Sequence, residues 1–169
     1  MTADGMVGPA VARQPTMGGF DALYEAEYVA MVRVAFLLLD SESQAEEAVH
    51  DAFAKVYERW AKLTNPGGYL RTCVVNRCRD LQRRRRVQRR HDEQARRAGG
   101  DAEPSSELGA DELTDALAQL PIRQRAAVVL RFYDGRSEAE IAEALGVAPG
   151  TVKSLVSRAL AQLREVIEP

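Results

Sequence analysis

The sequence predicts an all-α protein built from two small helical domains that a flexible linker joins. Apolar residues recur at spacings of three and four along the chain, as on the buried face of a helix, and no segment shows the sustained period-two alternation of a strand. A segment rich in Gly, Pro, Ser and acidic residues, AGGDAEPSS at 98–106, offers little to bury and divides the chain in two. A length of 169 residues suits one domain or two small ones.

The front half contains three predicted helices that follow a tail. Residues 1–19 are rich in Gly, Pro, Ala and Thr, show no periodicity and are predicted to be disordered. The first helix begins at Phe20 and ends at a run of Asp, Ser and Glu, which also supplies an N-cap for the second helix. The turn sequence NPGG at 65–68 separates the second helix from a third, which begins near Tyr69 and continues through many arginines. The predicted front domain spans residues 20–93.

The back half is also predicted to be helical. The predicted linker spans residues 94–110, and the predicted back domain spans residues 111–169. A short helix ends before Pro121, which favours the start of the next one. The inward-facing residues predicted for that next helix are Ala126, Val129, Leu130 and Tyr133.

The last part of the chain fits a helix-turn-helix. Ser137 and Glu140 form a predicted capping box, Gly146 supplies a residue for the tight turn, and a second helix opens at Pro149 or Gly150. The residues that this second helix would present outward are Thr151, Lys153, Ser154, Ser157 and Arg158. Short hydroxyls and long cations suit contacts with phosphates and base edges in a major groove. An unrelated helical hairpin with a glycine turn would share part of this pattern.

The net charge of −2 conceals a strong segregation of charge along the chain. Eleven arginines and three acidic residues lie between positions 71 and 97, whereas positions 101–115 hold six acidic residues and no basic one. Positions 40–51 hold five more acidic residues and no Lys or Arg. This split predicts a segment that binds a polyanion and a separate acidic face for another partner.

The arginine-rich helix also carries directional polar groups. Asn76 and Asp80 lie four residues apart, so they share one face, and Arg83 begins a run of four arginines. Such a helix can follow a nucleic-acid backbone and hydrogen-bond to bases. Tyr69 and Trp60 lie near its start, where they either stack on unpaired bases or complete the front core.

The sequence nominates no catalytic residue, metal site or cofactor site. Cys73 and Cys78 lie five positions apart without a surrounding His or Cys cluster, and His50 and His91 are far apart. No apolar run approaches the roughly 20 residues of a membrane-spanning helix, and no secretory signal is recognisable. We therefore expect a cytoplasmic protein with reduced thiols that is not inserted in a membrane.

Three stretches together resemble a sigma factor of the extracytoplasmic-function (ECF) type, within the bacterial sigma-70 family. AEEAVHDAFAKVYERW at 45–60 resembles region 2.2 of that family, and NPGGYLRTCVVNRCRDLQRRRR at 65–86 resembles regions 2.3 and 2.4. LPIRQRAAVVLRFYDGRSEAEIAEALGVAPGTVKSLVSRALAQLR at 120–164 resembles region 4. The sequence of these stretches is most similar to the actinobacterial branch often called the SigE family.

The resemblance implies a role for particular residues. The residues that would face the β′ clamp of core RNA polymerase are Glu46, Glu47, His50 and Asp51. The residues that would contact the −10 promoter element are Tyr69, Asn76, Arg77, Asp80, Arg83 and Arg84. The residues that would read the −35 element are Thr151, Lys153, Ser154, Ser157 and Arg158. The family usually has Gln at the position of His50, and it often has an apolar residue at the position of Arg77.

The resemblance also implies partners and a way of working. The protein would be a transcription initiation factor and not an enzyme, would need no cofactor and would be a monomer when free. Its partners would be core RNA polymerase (the β′ clamp and the β flap), promoter DNA and an anti-sigma factor where one exists. The acidic linker would mimic nucleic acid in the polymerase channel.

A stand-alone helix-turn-helix regulator is the alternative function. Such a regulator explains the back half and predicts a dimer on a palindromic operator. It leaves unexplained both the arginine-rich helix and the acidic face of the second helix. A nucleic-acid enzyme is a third class, but no cluster of catalytic groups supports it.

Overall fold

A computed structural model of the protein describes residues 17–97 and 112–167. Within these two ranges every regular element is helical, which confirms the predicted all-α class. The seven α-helices are α1 (Met17–Leu39), α2 (Glu42–Arg59), α3 (Pro66–Arg97), α4 (Glu112–Ala118), α5 (Ile122–Val128), α6 (Glu138–Leu145) and α7 (Pro149–Ile167). A 3₁₀ turn at Trp60–Lys62 follows α2, and a π-helical turn at Val129–Tyr133 follows α5. No helix in the described ranges is both long and apolar enough to cross a bilayer.

Two predicted boundaries differ from the structure by a few residues. Helix α1 begins at Met17, inside the predicted tail, and α3 continues to Arg97, inside the predicted linker. The rest of the predicted tail and the acidic linker segment 98–110 lie outside the described residues, and so does the proposed mimicry of nucleic acid by that segment.

Helices α1, α2 and α3 form the front domain around one apolar core. Each helix packs against the other two, and Met31, Val49 and Val74 are fully buried at their meeting faces. The hydroxyl of Ser41 accepts a hydrogen bond from the backbone N–H of Gln44, which satisfies one of the free N–H groups at the start of α2. This packing fixes the outer faces of α2 and α3 relative to each other.

Helices α4 to α7 form the back domain, whose helix-turn-helix matches the prediction. Ser137 and Glu140 make both hydrogen bonds of the capping box at the start of α6. Gly146 ends α6 in the left-handed conformation, with φ of 63°, where a side chain would cost free energy. Helix α7 then begins at Pro149.

The π-helical turn corrects one prediction about the back domain. Tyr133 was predicted to face inward, but its side chain is 45% exposed and that of Phe132 is 62% exposed. The backbone N–H of Asp134 bonds to the carbonyl of Val129 five residues earlier, so the turn is wider than an α-helical turn. The wider turn rotates the residues at its end away from the core, and the prediction, which assumed α-helical spacing, was wrong.

The two domains pack against each other, an arrangement that the sequence left open. Helix α3 lies against α6, and α1 contacts α4, α5 and the π-helical turn. A buried ion pair crosses the interface: Nε of Arg71 in α3 donates to Asp134 in the back domain at 2.7 Å, and Nη2 of Arg71 donates to Glu27 of α1 at 3.0 Å. A second buried arginine, Arg125 of α5, donates from Nη1 to the backbone carbonyl of Leu38 at 2.7 Å.

Candidate nucleic-acid and polymerase interface

The five residues predicted to read DNA are all exposed on α7. They are Thr151, Lys153, Ser154, Ser157 and Arg158. The opposite face of α7 is buried through Val152 and Ala159, which seats the helix on the back domain. The capping box and the glycine turn therefore place the N-terminal turns of α7 outward, where hydroxyls and cations are available to phosphates and base edges.

Three of the residues predicted to contact the −10 element line a single groove on α3. Asn76, Asp80 and Arg83 line a cavity of about 500 Å³ together with the further arginines Arg79 and Arg86. Their spacing of three and four residues places them on one face of the helix. The guanidinium of Arg83 donates to the carboxylate of Asp80 at 3.1 Å, so these two side chains form an ion pair on this exposed face. Arg84 is exposed on the same helix but does not line the groove.

The back domain contributes one residue to the lining of this groove. Ile122, the first residue of α5, lines the same cavity as the α3 residues. The face of α3 that carries Asn76 and Asp80 is thus partly covered by the second domain in this arrangement. The cover is partial, because the side chains of Asn76 and Asp80 remain exposed to solvent.

Arg77 does not lie with the other predicted DNA residues. Its Nε donates to Asp51 at 2.7 Å and its Nη2 donates to Glu47 at 2.6 Å, so it bridges α3 to the acidic face of α2. The side chain of Arg77 is only 17% exposed, whereas those of Glu47 and Asp51 are about half exposed. The structure therefore places Arg77 behind the acidic face of α2 and outside the groove that Asn76, Asp80 and Arg83 line, whereas the sequence-based prediction grouped Arg77 with those residues.

The predicted polymerase-binding residues form an exposed acidic face on α2. The face consists of Glu46, Glu47, His50 and Asp51. Its residues have two kinds of neighbour. Arg77 of α3 binds the carboxylates of Glu47 and Asp51, whereas the ring centroid of His50 lies 5.5 Å from that of Tyr28 in α1. Glu47 and Asp51, one helical turn apart, thus bind the same arginine of α3, whereas His50 packs against α1.

The two aromatic residues near the start of α3 lie in different environments. Trp60 is only 6% exposed and packs edge-on against Phe20, with ring centroids 5.5 Å apart, so it completes the core and the stacking alternative is wrong for it. Tyr69 is half-buried against the same core, and the guanidinium of Arg59 lies 5.8 Å from its ring centroid. Burial and a hydrogen bond with Cys73 raise the pKa of the Tyr69 hydroxyl. One face of Tyr69 is therefore already occupied by protein.

Sequence reasoning missed the buried arginines. Arg71 was counted within the polyanion-binding run, but it is 6% exposed and pairs with Asp134 and Glu27. Burial lowers the pKa of Arg71, but the hydrogen bonds and charges of Asp134 and Glu27 outweigh burial and leave the pKa raised. Its position on the apolar side of α3, three residues before the buried Val74, is the signal that could have revealed it.

The described residues contain no group of three or more His, Cys, Asp or Glu side chains that could hold a metal ion. The two cysteines are buried and unpaired. Burial raises the pKa of the Cys73 thiol, and burial raises that of the Cys78 thiol to about 12, so both are protonated near neutral pH.

Comparison with known proteins finds a family match for each of the two domains. Residues 23–88 match the sigma-70 region 2 family, and residues 110–163 match the sigma-70 region 4 family. The RNA polymerase sigma-E factor of Streptomyces antibioticus is 34% identical over 154 residues, which cover 88% of this chain and 84% of that protein. The ECF RNA polymerase sigma factor SigE of Mycolicibacterium smegmatis is 34% identical over 169 residues, covering 94% of this chain and 65% of that protein.

A solved structure shares the fold. The sigma factor RpoE of Bartonella quintana, solved in complex with the anti-sigma factor NepR, has a TM-score of 0.67 and 25% sequence identity. The match covers 88% of this chain and 96% of that one. Two successive sigma-70 regions in one all-α chain, together with relatives of this identity and coverage, define the family. The chain belongs to the sigma-70 family, as an RNA polymerase sigma factor of the ECF type.

Proposed function

We propose that this sigma factor binds core RNA polymerase through the acidic face of α2 and reads a promoter with α3 and α7. The observation that carries the proposal is that the front and back domains expose separate surfaces with complementary chemistry. The α2 face is acidic, whereas the exposed parts of α3 and α7 combine cations with hydrogen-bonding side chains. A two-module reader held on polymerase gains affinity by effective concentration, so neither module has to bind DNA tightly alone.

The −35 element is assigned to α7. Its outward hydroxyls and cations have the chemistry of phosphate and base-edge contacts, and the capped helix-turn-helix holds them at the outer surface of the back domain. We propose that Thr151 and Ser154 approach the bases, while Lys153, Ser157 and Arg158 contact the phosphates. These phosphate contacts should make binding to DNA fall steeply with salt.

The −10 element is assigned to the groove of α3. Asn76 offers both a donor and an acceptor, Asp80 offers acceptors, and Arg83 offers a cation within one continuous face. This mixture suits capture of bases that have left the duplex, because unpaired bases expose their hydrogen-bonding edges. Ile122 lines the same groove, so we propose that the two domains separate when polymerase is bound.

The β flap of polymerase is assigned to an apolar groove on the back domain. Phe132, Val152, Val156 and Leu160 line a cavity of about 380 Å³, and Phe132 is 62% exposed. An exposed aromatic beside aliphatic side chains is typical of a protein interface. Lys153 also lines this groove, so flap and DNA would meet along the same helix.

A runoff transcription assay with core polymerase from a GC-rich actinobacterium and a library of promoter fragments tests the proposed function. We expect initiation that depends on this chain and that identifies a two-part asymmetric promoter. Arg158→Ala should weaken promoter binding and leave polymerase association unchanged, because Arg158 does not line the groove assigned to the flap, whereas Asp51→Arg should do the reverse. The exposed Arg164, at the end of α7, provides the matched control through Arg164→Ala.

The stand-alone regulator predicts different results in the same experiments. It would bind duplex DNA as a dimer without polymerase and would give no chain-dependent transcript. A step-specific variant separates the roles further: Asn76→Ala should spare the closed complex and impair strand opening, as monitored by permanganate reactivity of unpaired thymines. Equal loss at both steps would contradict the assignment of this groove to the −10 element.

We propose that the protein acts by binding its partners, without catalysing a reaction, and that it works in the cytoplasm beside polymerase.

A further inference from the structure

A basic cavity of about 480 Å³ lies where the two domains meet. Three arginines of α3 and one of α5 line it, and within residues 17–97 and 112–167 the only acidic side chain in its lining is that of Asp40, just after α1. The four arginines are Arg85, Arg86, Arg89 and Arg125. The cavity is distinct from the groove that carries Asn76 and Asp80, although Arg86 lines both.

Among the described residues these arginines have no ion-pair partner, although the carboxylate of Asp40 lines the same cavity. None of the four makes a salt bridge in that part of the chain, in contrast to Arg71 and Arg77. Arg85 donates to the backbone carbonyl of Leu39 at 2.6 Å, and Arg125 donates to three other backbone carbonyls, including that of Leu38. Carbonyls at the end of a helix carry only partial negative charge, so they offset a buried guanidinium incompletely.

Arg125 retains an unused donor in this setting. The residue is 4% exposed, and its Nε has no hydrogen-bond partner among the described residues. Burial lowers the pKa of Arg125 and the positive charge of Arg86 lowers it further, against a raising effect of Asp40. Burial also lowers the pKa of Arg85, and Arg89 adds to that effect. Buried polar groups in native proteins almost always find a partner, and an unpaired donor beside several arginines that make no salt bridge marks an excess of positive charge, which an anion in the cavity would offset.

We propose that this cavity binds a small anion that carries two or more phosphate groups. Guanidinium groups match phosphate oxygens with paired hydrogen bonds, and four of them can neutralise a multiply charged ligand. A volume of about 480 Å³ lies within the range of small-ligand sites.

The position of the cavity gives the ligand a regulatory effect. The anion would bridge α3 of region 2 to α5 of region 4 and so favour the closed arrangement of the domains. It would also engage Arg86, which lines the proposed −10 groove, and would therefore compete with promoter DNA. The site depends on the fold and on the arginines, and its existence does not require the proposed polymerase contacts.

Isothermal titration of the full-length chain with sodium pyrophosphate, at constant ionic strength, tests the proposal. We expect saturable binding to one site. Arg89→Gln should weaken it about tenfold or more, because a charged hydrogen-bonding group is lost from an exposed position that the fold does not need. Arg90→Gln removes a neighbouring exposed arginine of α3 that does not line the cavity, and it should weaken binding by less than about twofold. Pyrophosphate should also raise the melting temperature of the wild type more than that of the Arg89→Gln variant.

A short DNA duplex without promoter sequence, titrated in parallel, distinguishes DNA phosphates from a small anion. The proposal is overturned if pyrophosphate shows no saturable binding, or if the two variants weaken it equally, since both results indicate general attraction to a basic helix. It is also overturned if Arg89→Gln weakens duplex binding alone, because the cavity arginines would then be DNA contacts. Failure of polymerase-dependent transcription would leave these titrations unaffected, so the two proposals fail separately.

Discussion

Removal of the Asp134 carboxylate should open the interface between the two domains. Asp134 belongs to the back domain and accepts a 2.7 Å hydrogen bond from Arg71 of the front domain, and both side chains are only 7% exposed. Breaking a buried ion pair by deleting one partner costs about 3–5 kcal/mol, because the remaining charge is left buried. Arg71 would keep Glu27 at 3.0 Å and the carbonyl of Gly67 at 3.1 Å. The expected cost of Asp134→Ala is therefore near the lower end, about 3 kcal/mol.

This cost falls on the closed arrangement, since the pair joins one domain to the other. A change of about 3 kcal/mol alters a two-state equilibrium roughly 150-fold. An open form populated at about 1% would rise to more than half. Asp134→Asn keeps an oxygen acceptor of the same shape and should give an intermediate result.

Energy transfer between dyes on the two domains measures the opening. Dyes attached through Glu58→Cys in α2 and Ala161→Cys in α7, both exposed positions, report the separation of the domains. Asp115→Ala, which removes an exposed carboxylate of the same back domain, is the matched control. The reasoning is refuted if Asp134→Ala and the control give the same transfer efficiency, since the apolar contacts alone would then hold the domains together.

Three further predictions concern single residues. Arg77→Met should weaken association with core polymerase by about three- to tenfold and change DNA binding less, because the guanidinium of Arg77 holds two carboxylates of the α2 face. A pull-down with purified polymerase, compared with a DNA titration, checks this. A larger loss in DNA binding would instead place Arg77 in the DNA interface. Gly146→Ala should lower the free energy of unfolding by about 1 kcal/mol, since φ is 63° there, and a urea titration would contradict this if the midpoint were unchanged. The thiol of Cys78, with a pKa of about 12, should react with a disulfide reagent at pH 8 only after unfolding in guanidinium, and fast reaction of the folded chain would show that the α3 core opens locally.

Local sequence rules predicted the parts of this protein that local physics determines. The capping box at Ser137 and the positive φ at Gly146 were predicted, because both depend on residues within one turn of each other. The exposure of the α7 residues followed from helical periodicity for the same reason. Tyr133 was placed wrongly because periodicity assumes α-helical spacing, and a π-helical turn intervenes before it.

The sequence by itself determined the all-α class, the helix-turn-helix and the arginine-rich helix, since each follows from periodicity, capping and charge within a short segment. Only the tertiary structure decided which arginines face solvent. Arg71 and Arg125 look like surface cations in the sequence, but they lie in the interface and are bound by a carboxylate and by backbone carbonyls from distant segments. Arg77 likewise binds carboxylates 26 and 30 residues away. The sequence of a segment gives the number of its cationic side chains. The partner of each cation depends on packing between distant segments, which no short sequence pattern contains.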